Sequence, residues 1–110
     1  MSLDVGEGAP ATALRENVED GTPVIALVGE WDISSAPQLR LRLESFDAGD
    51  VIVDLRATTF VDSTILSVLI DLQRRLAAAG FGARLRLPER GIIRRVFEMM
   101  SLESLFGTPT

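Results

Sequence analysis

Apolar and polar positions along this chain fall into blocks whose period shifts between two and about 3.6, and the shifts mark out strands and helices. Thr12 to Val18 alternates weakly, and Glu19-Asp20-Gly21-Thr22 supplies turn chemistry. Pro23-Val24-Ile25-Ala26-Leu27-Val28-Gly29 is a nearly unbroken apolar run. Together these predict a β-hairpin whose second strand is buried on both faces. Ser35-Ala36-Pro37-Gln38 reads as a capping box, with Ser35 as N-cap and Gln38 reaching back. Pro37 is tolerated in that first turn, where its missing N–H has no helical partner. Leu39, Leu43 and Phe46 give the stripe of a helix ending near Asp47-Ala48-Gly49, and Val51-Ile52-Val53-Asp54-Leu55 is a second apolar strand.

From about Ser63 to Ala79 the helical period is sustained, and Gly80 is the expected stop. Ala83-Arg84-Leu85-Arg86-Leu87 alternates cleanly, which predicts a strand with one face covered and the other face or an edge open to water. After Pro88 a third helix is expected, with Ile92, Ile93, Val96, Phe97 and Met100 inward and Arg90, Arg94, Arg95 and Glu98 outward. Ser101 is placed to cap a last helical piece, Leu102 to Phe106. The order is β-β-α-β-α-β-α-α. Two right-handed crossovers set three strands parallel and leave the first antiparallel at one side. The expected fold class is α/β, a small sandwich with a mixed, mostly parallel sheet of about four strands. Residues 1–10 read as a flexible leader, 11–107 as a single domain and 108–110 as a tail.

The cluster Asp62-Ser63-Thr64 stands where the long helix begins. Backbone N–H groups and the positive end of the helix dipole favour negative charge there. A serine in that place can cap the helix, or it can be where a phosphate is added and removed. At about 100° per residue, Ser63, Ser67, Asp71, Arg74 and Ala78 share one face. Ile65, Val68, Leu69, Leu72, Leu76 and Ala79 centre on the opposite side, and Leu66 and Ile70 lie on the border. Asp71 and Arg75 stand four apart in the order that favours an ion pair.

Composition removes several function classes. The chain has 110 residues, 46% hydrophobic and 25% charged, as in an ordinary soluble globular domain. Its net charge is −5, and all eleven basic residues are arginine, which argues against nucleic acid as a partner. There is no His, Lys, Cys or Tyr. General acid–base work would fall to carboxylates alone, and no thiolate or Schiff-base nucleophile is available. No apolar run approaches the ~20 residues that span a bilayer, so direct membrane insertion is not expected. The first residues do not resemble a signal peptide, and the lack of cysteine fits a reducing cytoplasm. Asp32, Asp54 and Asp62 each follow an apolar run and invite a metal or phosphoaspartate reading, but a receiver domain of that type also needs a lysine. Gly80-Phe81-Gly82 is a helix stop rather than a phosphate loop, and Val61 and Ile65 stand where a nucleophile elbow needs glycines. The expectation is a binding protein without cofactor or metal.

Three segments carry a family resemblance. Gly29-Glu30-Trp31-Asp32 is similar to a glycine-acid-leucine-aspartate signature after the second strand. Val51 to Leu55, continued by Phe60-Val61-Asp62-Ser63, resembles a strand and the Phe-hydrophobic-Asp-Ser start of a switch helix. Gly80 to Phe106, closing on Met100-Ser101-Leu102-Glu103-Ser104-Leu105-Phe106, resembles a final strand and helices. Together they resemble STAS domains, named for sulfate transporters and anti-sigma-factor antagonists, and look most like the stand-alone bacterial antagonists.

The resemblance implies a small STAS-like sandwich and a non-enzymatic cytoplasmic protein that binds an anti-sigma factor with serine kinase activity. Phosphorylation of Ser63 would switch the antagonist off, and a phosphatase would reverse it. Asp32, Asp62 and Thr64 would neighbour the switch site, and Trp31, Leu66, Ser67 and Ile70 would meet the partner. The chain departs from the pattern in two places: Thr64 and Ile65 stand where the family usually has serine and glycine, and Trp31 replaces a leucine. Other readings are an accessory subunit of a membrane transporter or a scaffold of a stress-sensing assembly, and, from another class, a carboxylate-based enzyme.

Overall fold

The computed structural model describes residues 12–106. The leader and tail expected at the two ends lie outside these residues, as do the domain boundaries at 11 and 107. In chain order the elements are β1 Ala13–Glu19, β2 Thr22–Trp31, α1 Ala36–Leu43, β3 Val51–Asp54, β4 Thr58–Val61, α2 Ser63–Ala78, β5 Ala83–Arg86, α3 Ile92–Met99 and a 3-10 turn at Leu102–Ser104. The sheet runs β1-β2-β3-β5, with β1 antiparallel to β2 and the other pairs parallel. The hairpin turn is Asp20-Gly21, both with positive φ (51° and 82°), which matches the right-handed twist of the flanking strands.

Strand β4 was not expected. β2 pairs with β3 through Val24 to Ala26, and at Gly29 it changes neighbour and pairs with β4. The change is made by a bulge between Gly29 and Glu30, and Gly29 takes a φ of 87°, where a side chain would be strained. The break is stitched by the Gly29 amide, which donates to the Ala57 carbonyl at 3.0 Å, and by the buried Thr58 hydroxyl, which donates to the Leu27 carbonyl at 2.6 Å.

The helices cover one face of the sheet. Ile25, Leu27, Val51, Val53, Leu55, Ala83 and Leu85 alternate into that core and meet Ile65, Val68, Leu69, Leu72 and Leu76 of α2. Burial of β2 on both faces by core holds in part only. Val24 and Ile52, paired in register on the opposite face, are buried but stand outside the core cluster. Arg86 on β5 reaches across to Glu19 on β1, with a bond of 2.8 Å from Nη1, so this pair must pass over β2 and β3. Long side chains of this kind cover apolar surface with their stems.

Several local expectations are corrected. Ser35 makes no side-chain cap to α1. Its hydroxyl turns back to accept from the Asp32 amide at 2.9 Å. Phe46 lies beyond the end of α1, half-buried against the core. Arg75 does not pair with Asp71; its guanidinium donates to the Phe46 and Leu43 carbonyls at 2.7 and 3.2 Å, satisfying the open end of α1. On α3 only Ile93 and Phe97 are buried, Val96 is half-buried, and Ile92 and Met100 face solvent. Ala79, the C-cap of α2, is exposed. Ser101 adopts a left-handed conformation (φ 55°) and caps nothing with its side chain, and the segment after it forms a 3-10 turn rather than an α-helix. Gly80 ends α2 with a φ of 88°.

Candidate functional site at the start of the long helix

Trp31 at the end of β2 pairs with Val61 at the end of β4. This register sets Asp32 and Asp62, the next residue of each strand, at the same edge of the molecule. From there Asp32 opens the loop to α1 and Asp62 opens α2.

Asp62 is the N-cap of α2. Its backbone is extended (φ −109°, ψ −178°), and its Oδ1 accepts from the Ile65 amide at 3.1 Å. The cap therefore belongs to the aspartate. Ser63 sits at the first helical position, exposed, and its hydroxyl has no hydrogen-bond partner among the described residues. Thr64 is half-buried beside it. Ile65, which stands where the resemblance has glycine, is fully buried in the core, so its side chain points away from the Ser63 surface.

Asp32 is held within its own loop. Its Oδ1 accepts from the Ser34 hydroxyl at 2.6 Å and from the Ser34 amide at 3.0 Å. These bonds, the hydroxyl first, hold the Asp32 carboxyl below its ordinary value and keep it charged. The same loop is closed by Ser35 and Ala36 amides donating to the Asp32 carbonyl at 3.0 and 2.9 Å. Asp54, the third acid, is bound by Arg56, which donates to both carboxylate oxygens. Burial pushes the Asp54 carboxyl up, and the Arg56 bonds outweigh it and leave it lowered. Among the described residues no three acids come together as a metal-holding group.

Of the expected partner residues, Ser67 is exposed and Ile70 is half-buried against the core. Trp31 and Leu66 are corrected. Trp31 closes β2 with 0% exposure, its side chain turned into the core, and its indole N–H donates to the Val28 carbonyl at 3.0 Å. Leu66 faces the core as well. Neither offers a partner surface area in this conformation. The face Ser63, Ser67, Asp71, Arg74 and Ala78 is exposed along its whole length. Two apolar side chains not expected as partner residues, Ile33 in the Asp32 loop and Phe60 on β4, are open to solvent. Their signal was weak, since a single apolar residue in a loop or a short strand has no period to place it.

No helix among the described residues is long and apolar enough to cross a membrane. The family model described as "Mlab, STAS domain" matches residues 14–107. No curated protein sequence matches the chain. Among solved structures, an anti-sigma factor antagonist from Mycobacterium paratuberculosis is 28% identical with a TM-score of 0.70, covering 91% of this chain and 87% of that one. The Bacillus cell fate determinant SpoIIAA in its phosphorylated form is 24% identical with a TM-score of 0.65, covering 89% of this chain and 92% of its own. The anti-sigma factor antagonist SpoIIAA in its unphosphorylated form is 24% identical with a TM-score of 0.63, covering 79% and 83%. The two SpoIIAA likenesses speak to the fold. With a family match running from β1 through the 3-10 turn, this chain belongs to the STAS domain family.

Proposed function

We propose that this chain is an anti-sigma-factor antagonist that binds an anti-sigma factor with serine kinase activity and is switched off by phosphorylation of Ser63. The observation that carries the reading is the division of labour at the start of α2. Asp62 supplies the cap, so the neighbouring Ser63 hydroxyl is exposed, unbonded among the described residues and free to be modified without unmaking the helix. The likeness to the mycobacterial antagonist supports the partner class. The protein acts by binding rather than catalysis, in the cytoplasm where such a partner works, and a phosphatase restores the unmodified state.

Phosphate on Ser63 adds about −1.5 to −2 charges at the favourable end of a helix dipole. The fold tolerates it there. The binding surface becomes more strongly negative, because Asp62 and Asp32 already make that edge acidic. A pull-down on the immobilised chain with mass spectrometry tests the reading. Recovery of a serine-kinase anti-sigma factor, and of Ser63 in both states, is the expected result. Recovery of a transporter ATPase in its place would favour the accessory-subunit reading and overturn this one.

A further inference from the structure

We infer that Ile33 and Phe60 form the apolar anchor of the partner interface, received by an apolar pocket bordered by basic side chains on the kinase. The inference rests on the proposed function and adds residues that give affinity apart from the switch itself. Ile33 is 70% exposed and Phe60 47%, although both are large apolar side chains. The β2–β4 register sets Phe60 beside Glu30, three residues before Ile33, so both residues belong to the end of the sheet from which Asp32 and Asp62 emerge.

The Ile33 loop is built to hold its shape. Asp32 accepts from the Ser34 hydroxyl and amide, and Ser35 exchanges bonds with the Asp32 backbone on both sides, as donor to the carbonyl at 3.1 Å and acceptor from the amide at 2.9 Å. A side chain presented by a loop already ordered loses little entropy on docking. Interface energy is usually concentrated in a few side chains that become fully desolvated near the centre of the contact.

Charge selects the occupant. Glu16, Glu19, Asp50, Asp54 and Glu98 each make a salt bridge with an arginine. Glu30, Asp32 and Asp62, which border the two apolar residues, make none among the described residues, and neither do Asp20, Glu44, Asp47, Asp71 and Glu89; what sets the three apart is that they stand around two exposed apolar side chains. That rim favours a cationic border on the partner and disfavours an acidic one.

The test titrates the purified serine-kinase anti-sigma factor against Ile33→Asp, Phe60→Ser and Val18→Ser by calorimetry, with a thermal melt of each variant. Val18 is the control, 66% exposed on β1 and paired with Pro23 beside the hairpin turn, whereas Trp31 lies beyond the far end of the β1–β2 ladder, at Val28. Ile33→Asp and Phe60→Ser each weaken the complex at least about tenfold with the melt of Ile33→Asp unchanged, and Val18→Ser binds as the wild type does. Raising salt weakens the wild-type complex. Unchanged affinity of Ile33→Asp, with Ser63→Asp still weakening the complex, overturns the anchor and leaves the proposed function standing. Equal loss in all three variants overturns the anchor as well. Failure of any serine kinase to bind the wild type overturns both.

Discussion

The Asp62 carboxylate closes on the amide of Ile65 at 3.1 Å, so one of the free N–H groups of α2 is satisfied by the residue before Ser63 and not by Ser63. The two neighbours therefore separate in their consequences. Asp62→Ala should lower stability by about 1 kcal/mol, the usual cost of losing an N-cap. Ser63→Ala should leave the melt within about 0.5 kcal/mol of wild type, as exposed substitutions do. Denaturant titration of both variants decides this, and a larger loss in Ser63→Ala would return the cap to the serine.

This division was half visible in the sequence. Asp62-Ser63-Thr64 before an apolar period announces a helix start, but which hydroxyl or acid caps it depends on the backbone angles of one residue. The core strands were legible as unbroken apolar runs, their directions from the hairpin turn and the helical crossovers, and the α2 core stripe because it repeats a period over several turns. β4 was not, since Thr58-Thr59-Phe60-Val61 is four residues long and joins the sheet only where Gly29 lets β2 change neighbours. Trp31 misleads for a different reason: its signature looks like a loop after the strand, but Gly29, Glu30 and Trp31 belong to β2, which turns Trp31 into the core. Ile92 and Met100 fit a helical stripe, but α3 is only Ile92–Met99, and the two stand at its margins.

Phosphorylation should map to Ser63. Incubation with the purified kinase and ATP should label the wild type, and Ser63→Ala should carry no label. Residual label on Thr64 or Ser67 would assign the switch to another hydroxyl. Ser63→Asp should keep a cooperative melt near wild type, because the charge lies at the favourable end of α2, while its partner complex weakens about tenfold, or about 1.4 kcal/mol. A collapsed melt with unchanged binding would argue that the serine is structural.

Ile70 and Leu76 lie on one helix with different burial. Leu76 is fully enclosed in the core, and Leu76→Ala should cost about 2–5 kcal/mol, a large share of the stability of a domain this size. Ile70 packs only its inner side against that core, so Ile70→Ser should cost about 1 kcal/mol. If Ile70 also meets the partner, the same variant weakens the complex by more than the melt accounts for. Equal losses of stability in the two variants would place Ile70 wholly in the core.

Acid sensitivity should trace to the pair that straps the open sheet face. The hydrogen bond from Arg86 holds the Glu19 carboxyl below its ordinary value, and Glu16 is lowered in the same way by Arg42. A carboxyl whose folded value is lowered adds stability that is complete above its unfolded value and is lost as the pH falls through the folded one. Neutral pH should therefore show the full contribution of Glu19 and Arg86, and the acid side of the carboxylate range should show none. Arg86→Met keeps a long apolar side chain at this position and removes the charge. Melting both proteins from pH 7 down to pH 3 should show the variant less stable at neutral pH, with the gap closing as acid protonates Glu19. A gap that stays constant across the range would mean that the loss in the variant does not come from the Glu19–Arg86 ion pair.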